Sequence, residues 1–308
     1  MSRLVAVTGA TGFVGSHLVS ALGRRGWKIR LLARRWSPVP SLPGVAAEVV
    51  LGDLGDETAL RRLVDGADMV IHAAGLIKAR TSNEFLAVNL DGTARLSELA
   101  PGAHFILLSS LAAREPQLSA YAASKQAAES VVAARSGPWM AVRAPAVYGP
   151  GDRETLAYFR AVAQGVAPQP RVEGARLALI HVGDLVEALV LAAERPPAAS
   201  VYEIDDGKVG GYGYDDMAAA AGAALGRTAW RLPIPRVVMR IVSAANGLRQ
   251  SLGGAAQILT QAKVREIFHR DWTIHDHRLA AAIAFRARYD LAAGFRDTVI
   301  WYRRQGWL

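Results

Sequence analysis

Strands alternating with helices through the first 148 residues predict an α/β chain built on a doubly wound parallel sheet. Two further observations go with this. Glycines separate the first predicted strand from the first predicted helix, the arrangement that opens a βαβ unit. Beyond Arg143 the texture breaks into prolines and short segments, which predicts a smaller, discontinuous C-terminal lobe.

Leu4–Thr8 is an apolar run ending at glycine, a first strand, and the helix Val14–Leu22 follows. Lys28–Ala33 and Val49–Leu51 are the second and third strands, the third ending at Gly52-Asp53-Leu54. A helix over Glu57–Val64 precedes a fourth strand, Asp68–His72, which runs into Ala73-Ala74-Gly75. One longer helix is predicted over Phe85–Leu99, then the strand Phe105–Ser109, the helix Tyr121–Ala134 and the strand Trp139–Arg143. Near-continuous apolar strands suit a sheet covered by helices on both faces. Pro145, Pro150, Pro168 and Pro170 then interrupt the chain. Asp184–Glu194 (helix) and Val201–Ile204 (strand) read as returns to the sheet, and Asp215–Leu225 as an alanine-rich helix. Residues 230–235 read as a proline-containing connector, and the rest as helical pieces and loops. The expected division is a sheet domain of 1–148 plus about 178–206, and a lobe of about 149–177 and 207–308.

Composition narrows the classes. Of 308 residues, 51% are hydrophobic, enough for a sizeable core. The absence of cysteine excludes disulfides, thiolate metal sites and a cysteine nucleophile. The N-terminus leads straight into strand and glycines rather than a signal peptide, and no apolar stretch is long enough to span a bilayer. The expectation is a cytoplasmic protein, or one held peripherally on the cytoplasmic membrane face. The net charge of +9 arises wholly in residues 227–308, which carry fourteen basic and five acidic side chains. Such a lobe is either a solvated basic surface or a dock for an anionic one, phospholipid or acidic substrate. No nucleic-acid motif accompanies the charge.

The turn Thr8-Gly9-Ala10-Thr11-Gly12-Phe13-Val14-Gly15 has the form TGxxGxxG between strand and helix. One glycine permits the tight turn, one lets the backbone approach a pyrophosphate, and one lets helix pack on strand. The unpaired N–H groups of the helix N-terminus then face the phosphates. This is the pattern of a Rossmann-type dinucleotide domain, with Gly9, Thr11, Gly12, Phe13, Val14 and Gly15 against the cofactor. The second strand ends Ala33-Arg34-Arg35 without a carboxylate. A carboxylate there would take a ribose 2′-hydroxyl and arginine a 2′-phosphate, so Arg34 and Arg35 favour NADP(H) over NAD(H). Asp53 and Leu54, after the third strand, are expected at the adenine edge.

Tyr121 and Lys125 stand four residues apart on a predicted helix and share a face. A free phenol has a pKa of about 10, and a nearby ammonium favours its ionised form. Ser110, eleven residues upstream at a strand exit, is placed to donate to a substrate oxygen. Tyr121 would pass that oxygen a proton, while Lys125 also reaches the nicotinamide ribose.

With these motifs the chain resembles the extended short-chain dehydrogenase/reductases of the NAD-dependent epimerase/dehydratase group. The likeness also runs through Val88-Asn89-Leu90-Asp91-Gly92-Thr93, Arg143-Ala144-Pro145-Ala146-Val147-Tyr148-Gly149-Pro150-Gly151-Asp152 and His181-Val182-Gly183-Asp184-Leu185. The resemblance implies that Ser110, Tyr121 and Lys125 are catalytic. It implies that Ala73, Ala74 and Gly75 line the cofactor, that Pro145, Ala146 and Val147 flank the nicotinamide, and that Asn89 is a helix-kink or relay residue. Similar nucleotide-sugar epimerases continue Ser-Ser into Val-Tyr-Gly and a longer loop, whereas here Ser110 leads into Leu111-Ala112-Ala113-Arg114. The C-terminal part, from Gly253-Gly254 to Asp271-Trp272 and from Trp301-Tyr302 to Leu308, is similar to the 3β-hydroxysteroid dehydrogenase-like and bacterial ceramide-reductase-like branches.

The leading expectation is therefore an NADP(H)-dependent ketone–alcohol oxidoreductase acting on a lipid-like substrate, a 3-keto-ceramide or sphingoid, or a sterol. The runner-up is a nucleotide-sugar epimerase or dehydratase holding NAD. A third reading is a non-catalytic cofactor-binding scaffold like the accessory subunits of respiratory complex I. Oligomeric state is open. Arg236–Leu252 reads as an amphipathic helix, with Arg236, Arg240, Ser243, Gly247 and Gln250 on one side and Val238, Ile241, Ala245, Leu248 and Leu252 on the other. It is either an ordinary packed helix or an interfacial one. His269, His275 and His277 lack metal-site spacing, so no metal is expected. His17 is expected to pack or to approach the phosphates, and Trp301 and Trp307 to anchor the lobe.

Overall fold

A computed structural model describes residues 3–34, 47–251 and 260–308. In chain order it contains β1 (Leu4–Thr8), α1 (Phe13–Arg24), β2 (Lys28–Ala33), β3 (Ala47–Leu51), α2 (Glu57–Val64) and β4 (Met69–His72). Next come α3 (Ser82–Phe85), a π-helical segment Leu86–Asp91, α4 (Gly92–Leu99), β5 (His104–Ser110), α5 (Ala120–Ala133) and β6 (Trp139–Ala144). They are followed by β7 (Ala146–Tyr148), α6 (Leu156–Ala163), β8 (Val166–Pro170), β9 (Arg176–Leu177), β10 (Leu179–His181), α7 (Val182–Glu194) and β11 (Val201–Glu203). The remainder is α8 (Tyr214–Leu225), β12 (Trp230–Ile234), α9 (Arg236–Ser251), α10 (Gln261–Ile267), β13 (Asp271–Trp272), α11 (Arg278–Ala282) and α12 (Leu291–Arg304).

The chain divides into two compact units. The first comprises 1–144, 186–203 and 276–285. Its seven-stranded sheet has the order β3-β2-β1-β4-β5-β6-β11, and every neighbouring pair is parallel. The order reverses between β1 and β4. At such a switch point the loops beyond the strand ends leave in opposite directions and open a ligand crevice. One core layer packs Val50, Leu60, Leu63, Val70, Leu96, Phe105 and Val132. The segment 276–285 was not expected here. Glu203 holds it by accepting the Asp276 N–H at 3.3 Å, and the Arg278 guanidinium lies over the Tyr202 ring, 5.4 Å from its centroid.

The second unit comprises 145–185, 204–275 and 286–308. Residues 178–185, expected with the sheet domain, belong to it because β10 pairs with β7. The connector expected at 230–235 is instead β12, which pairs in parallel with β8. Each strand of this two-stranded ribbon has a free edge, so Pro168, Pro170 and Pro233 need not interrupt a ladder. Phe159, Phe295 and Tyr302 pack edge-to-face, with ring centroids 4.9 and 5.6 Å apart, beside Tyr148. Gly294 is obligatory here, since a Cβ would overlap the Tyr148 hydroxyl. The His181–Leu185 motif closes this unit. Asp184 accepts the backbone N–H of Arg288 (3.1 Å) and Tyr289 (3.0 Å). Trp301 and Trp307 meet edge-on at 4.8 Å as packing anchors.

Candidate active site

The carboxyl ends of the sheet strands carry most of the residues singled out from sequence. Gly9 follows β1, Arg34 follows β2, Asp53 follows β3, Ala73–Gly75 follow β4 and Ser110 ends β5. Parallel strands deliver all their exits to one edge, which is why positions so far apart in sequence share a rim.

The β1–α1 turn shows why its glycines are needed. Gly9 has φ +73°, and a Cβ there would lie 2.6 Å from the backbone of Ala73 and Ala74. A Cβ on Gly15 would overlap the Gly9 carbonyl oxygen. The Gly12 N–H donates to that same oxygen at 2.9 Å. Thr11 and Gly12 are exposed, Phe13 and Val14 half-buried, and no side chain caps the first turn of α1. Its N–H groups are left for an anion, and the cradle fits a dinucleotide pyrophosphate. Gly15→Ala is expected to weaken NADPH binding at least tenfold, measured by fluorescence titration. Undiminished affinity would contradict this account of the turn. His17 packs edge-on against Phe13 at 5.9 Å.

Arg34 is exposed one residue past β2, while Arg35 lies outside the described residues, as do Gly253 and Gly254. Asp53 is exposed and accepts the Gly55 N–H at 2.7 Å through Oδ1, whereas Leu54 is buried. Pro145, Ala146 and Val147 lie in the second unit, where Ala146 and Val147 begin β7.

The β4 exit is held by a directed chain of hydrogen bonds. Thr93 Oγ1 donates to the Asn89 carbonyl at 2.6 Å and so accepts from His72 Nε2–H at 3.0 Å. His72 Nδ1 then accepts from Thr8 Oγ1 at 2.6 Å, and Thr8 Oγ1 accepts the Ala74 N–H at 3.3 Å. This chain needs a neutral imidazole. Burial, helped by the Lys125 charge, lowers the His72 pKa to about 3.

Asn89 is buried in the π-helical segment, a feature concentrated at functional sites. Its amide accepts the Leu76 N–H at 2.7 Å and donates to the Leu76 carbonyl at 3.1 Å and to Ser124 Oγ at 3.0 Å. Asn89 thereby ties the turn after β4 to α5. The resemblance marked Asn89 as a helix-kink or relay residue, while periodicity carried no sign of the wide helical turn that aims it inward.

Helix α5 presents Tyr121 and Lys125. Its N-cap is Ser119, whose hydroxyl accepts the Ala122 N–H at 2.9 Å, so the helix begins one residue before Tyr121. Tyr121 is half-buried, with the Phe85 ring 6.0 Å away. Lys125 is buried, and its Nζ donates to the Leu108 carbonyl on β5 at 2.7 Å. A Cβ on Gly75 would lie 3.8 Å from that Nζ, so the bare backbone after β4 comes up to the ammonium. Desolvation lowers the Lys125 pKa to about 8, against the opposing pull of Glu129. Ser110 Oγ accepts the Ala112 N–H at 3.2 Å, which leaves its O–H as a donor.

Beneath these groups lies a network that sequence reasoning missed. Glu129 is buried one turn beyond Lys125, accepts from Ser109 Oγ at 2.5 Å, and pairs in bidentate fashion with Arg143 at 2.7 to 3.2 Å. An arginine inside an otherwise apolar strand was the available signal, since a charge placed there requires a partner. Of the histidines set aside as metal ligands, His269 packs on Trp272 and His275 Nε2 pairs with Asp271 at 2.9 Å.

Comparison with known proteins decides the family. The profile of the NAD dependent epimerase/dehydratase family matches residues 5–205. The chain belongs to this family. It is an NAD(P)-dependent oxidoreductase of the extended short-chain dehydrogenase/reductase type. A ceramide reductase of Caulobacter vibrioides is 42% identical over 99% of this chain and 96% of its own length. A 4-hydroxy-2-methyl-3-oxo-4-farnesyl-3,4-dihydroquinoline-1-oxide ketoreductase of Stigmatella aurantiaca is 29% identical over 75% of this chain and 81% of its own. Among solved structures, MoeE5 in complex with UDP-glucuronic acid and NAD superposes with a TM-score of 0.75 at 25% identity, covering 99% of this chain and 100% of that one. Likeness to sugar-nucleotide enzymes extends to sequence, at 27% identity to a UDP-glucose 4-epimerase of Vibrio cholerae over 76% of this chain and 80% of its own, while the match to the ceramide reductase is stronger and spans the whole chain.

Proposed function

We propose that this family member reduces a ketone to a secondary alcohol on a lipid-like substrate of the 3-keto-ceramide or sphingoid type, with NADP(H) as cofactor. The observation that carries the reading is the meeting of α5 with the exits of β4 and β5. There a buried ammonium contacts a strand carbonyl beside the bare backbone of Gly75, with Tyr121 one turn away on the same helix. The sterol alternative shares this chemistry. Full-length identity to a ceramide reductase favours the sphingoid.

The reduced nicotinamide, when bound, supplies the hydride. Gly9, Thr11, Gly12, Phe13, Val14 and Gly15 would hold its pyrophosphate, Asp53 and Leu54 its adenine end, and Ala73–Gly75 the middle of the molecule. Ser110 donates a hydrogen bond to the substrate oxygen and fixes its position. Tyr121 gives that oxygen its phenolic proton as the carbon is reduced, so hydride plus proton convert ketone to alcohol. The Lys125 ammonium stabilises the phenolate left behind. We assign substrate recognition to the second unit.

Arg34 supports NADPH over NADH, because an exposed guanidinium at the end of β2 suits a 2′-phosphate. With a long-chain 3-keto-ceramide, kcat/KM is expected to be at least tenfold higher for NADPH than for NADH. Arg34→Ala should narrow that ratio mainly through KM for NADPH. An NADH preference in the unmodified enzyme would reject the cofactor assignment. Turnover of a UDP-hexose in place of the keto-lipid would reject the substrate assignment.

A further inference from the structure

Helix α9 is inverted relative to an ordinary surface helix. Ser243, which shares a side with Arg236 and Arg240 on the helical wheel, is buried at 1% exposure. Met239, one turn earlier, is half-buried, and the Gln261 side chain at the start of α10 donates to the Arg240 carbonyl at 2.7 Å. Met239 and Ser243 therefore mark the packed side. At 100° per residue the opposite side is the arc through Val237, Ile241, Ala245 and Val238, with Val242 at its margin. These apolar side chains face outward, with exposures of 65% for Val237, 64% for Ile241, 47% for Val238 and 46% for Val242. Arg236 and Arg240, both exposed, fall between this arc and the packed side.

We propose that the outward face of α9 docks on the surface of an anionic phospholipid bilayer. An outward aliphatic stripe with arginines along its margin suits a helix lying in the headgroup region, apolar face towards the acyl chains and guanidinium groups at phosphate level. Charge agrees on two scales. The sixteen residues of α9 include arginine and no acidic residue. The whole excess of +9 lies in residues 227–308, which contain this helix. A helix carrying basic and no acidic side chains is drawn to anionic lipid within about a Debye length, roughly 8–10 Å. A second copy of the chain is a poorer occupant. Four aliphatic side chains on one helix offer far less than the about 800 Å² per partner of a stable dimer, and a two-fold pairing would bring arginines together. Spanning is not at issue, since no helix among the described residues is long and apolar enough to cross a membrane.

The test is co-sedimentation of the full chain, without substrate, with vesicles of phosphatidylglycerol and phosphatidylcholine or of phosphatidylcholine alone. Because no turnover is measured, the outcome is separate from the reductase assignment. The unmodified protein is expected to pellet with the anionic vesicles at low salt and to be released by high salt. Val237→Ser combined with Ile241→Ser should weaken partitioning at least about tenfold. Arg236→Gln with Arg240→Gln should erase the preference for phosphatidylglycerol. The serine variant should melt at the parent temperature, because its exchanged side chains are exposed. The arginine variant gives up the contact of the Arg236 guanidinium with the Phe268 ring, 5.8 Å to its centroid, and should melt only slightly lower while still pelleting through its apolar face. Protein left in the supernatant with anionic vesicles, or serine variants that pellet like the parent, would overturn the proposal. So would a dimer, seen by sedimentation velocity without vesicles, that the serine variants abolish, for the face would then be a self-interface.

Discussion

Tyr121→Phe is expected to lower kcat/KM for ketone reduction by about 10² to 10⁴ while leaving the Kd for NADPH within about twofold. The substitution removes one hydroxyl and keeps the ring. The ring sits 6.0 Å from Phe85, so the first turn of α5 retains its packing. The groups that frame the cofactor rim, the Gly9–Gly15 turn and the His72–Thr8–Ala74 chain, do not involve the phenol. The proposed loss is the proton that neutralises the product oxygen. Steady-state kinetics with fluorescence titration of NADPH separates the two effects. A variant retaining full turnover would remove Tyr121 from the chemistry, and one that cannot bind NADPH would make it structural.

Lys125→Met should likewise lose turnover, but it should also stabilise the protein. Burial lowers the Lys125 pKa from 10.5 to about 8, so keeping the ammonium charged at neutral pH costs about 3 kcal/mol. Methionine removes that cost and leaves the Leu108 carbonyl without its donor, a loss of about 1 kcal/mol. The expected net gain in unfolding free energy at pH 7 is about 2 kcal/mol, read by urea denaturation. The pH dependence carries a further mark. The folded pKa lies below the unfolded one, so between pH 8 and 10.5 the native state has released a proton that the unfolded chain keeps. Stability contributed by this group therefore rises with pH across that window. The methionine variant should lack the rise. A variant less stable than its parent, with an unchanged pH profile, would contradict the burial argument. The trade of stability for a charged group at the site is a familiar pattern in enzymes. Unlike Tyr121→Phe, this variant is also expected to bind NADPH more weakly, because the proposed mechanism has Lys125 hold the nicotinamide ribose as well as the phenolate.

The sheet was legible because its strands are apolar runs bounded by turn residues, as in Val5–Val7, Phe105–Leu108 and Met140–Val142. The rim was legible because glycines that tolerate no Cβ leave a spacing, and because Tyr121 and Lys125 stand one helical turn apart. What escaped notice depends on tertiary context. The π-helical widening at Leu86–Asp91 leaves no propensity signal in an otherwise helical stretch. Strand β12 was hidden by Pro233, which is tolerated only because its ribbon has open edges. The outward apolar face of α9 follows from which side Met239 and Ser243 bury, and periodicity alone left open whether the apolar side packs or faces out. Glu129 and Arg143 read as unrelated charges until α5 crosses β6.

The most direct test follows the hydride itself. The unmodified enzyme is incubated with a 3-keto-lipid and NADPH deuterated at C4, and the product alcohol is analysed by mass spectrometry and NMR. One deuterium is expected on the carbinol carbon per NADPH oxidised, with Tyr121→Phe forming the labelled alcohol about 10² to 10⁴ times more slowly. An epimerised product with no net cofactor oxidation, or cofactor bound without any label transfer, would contradict this expectation.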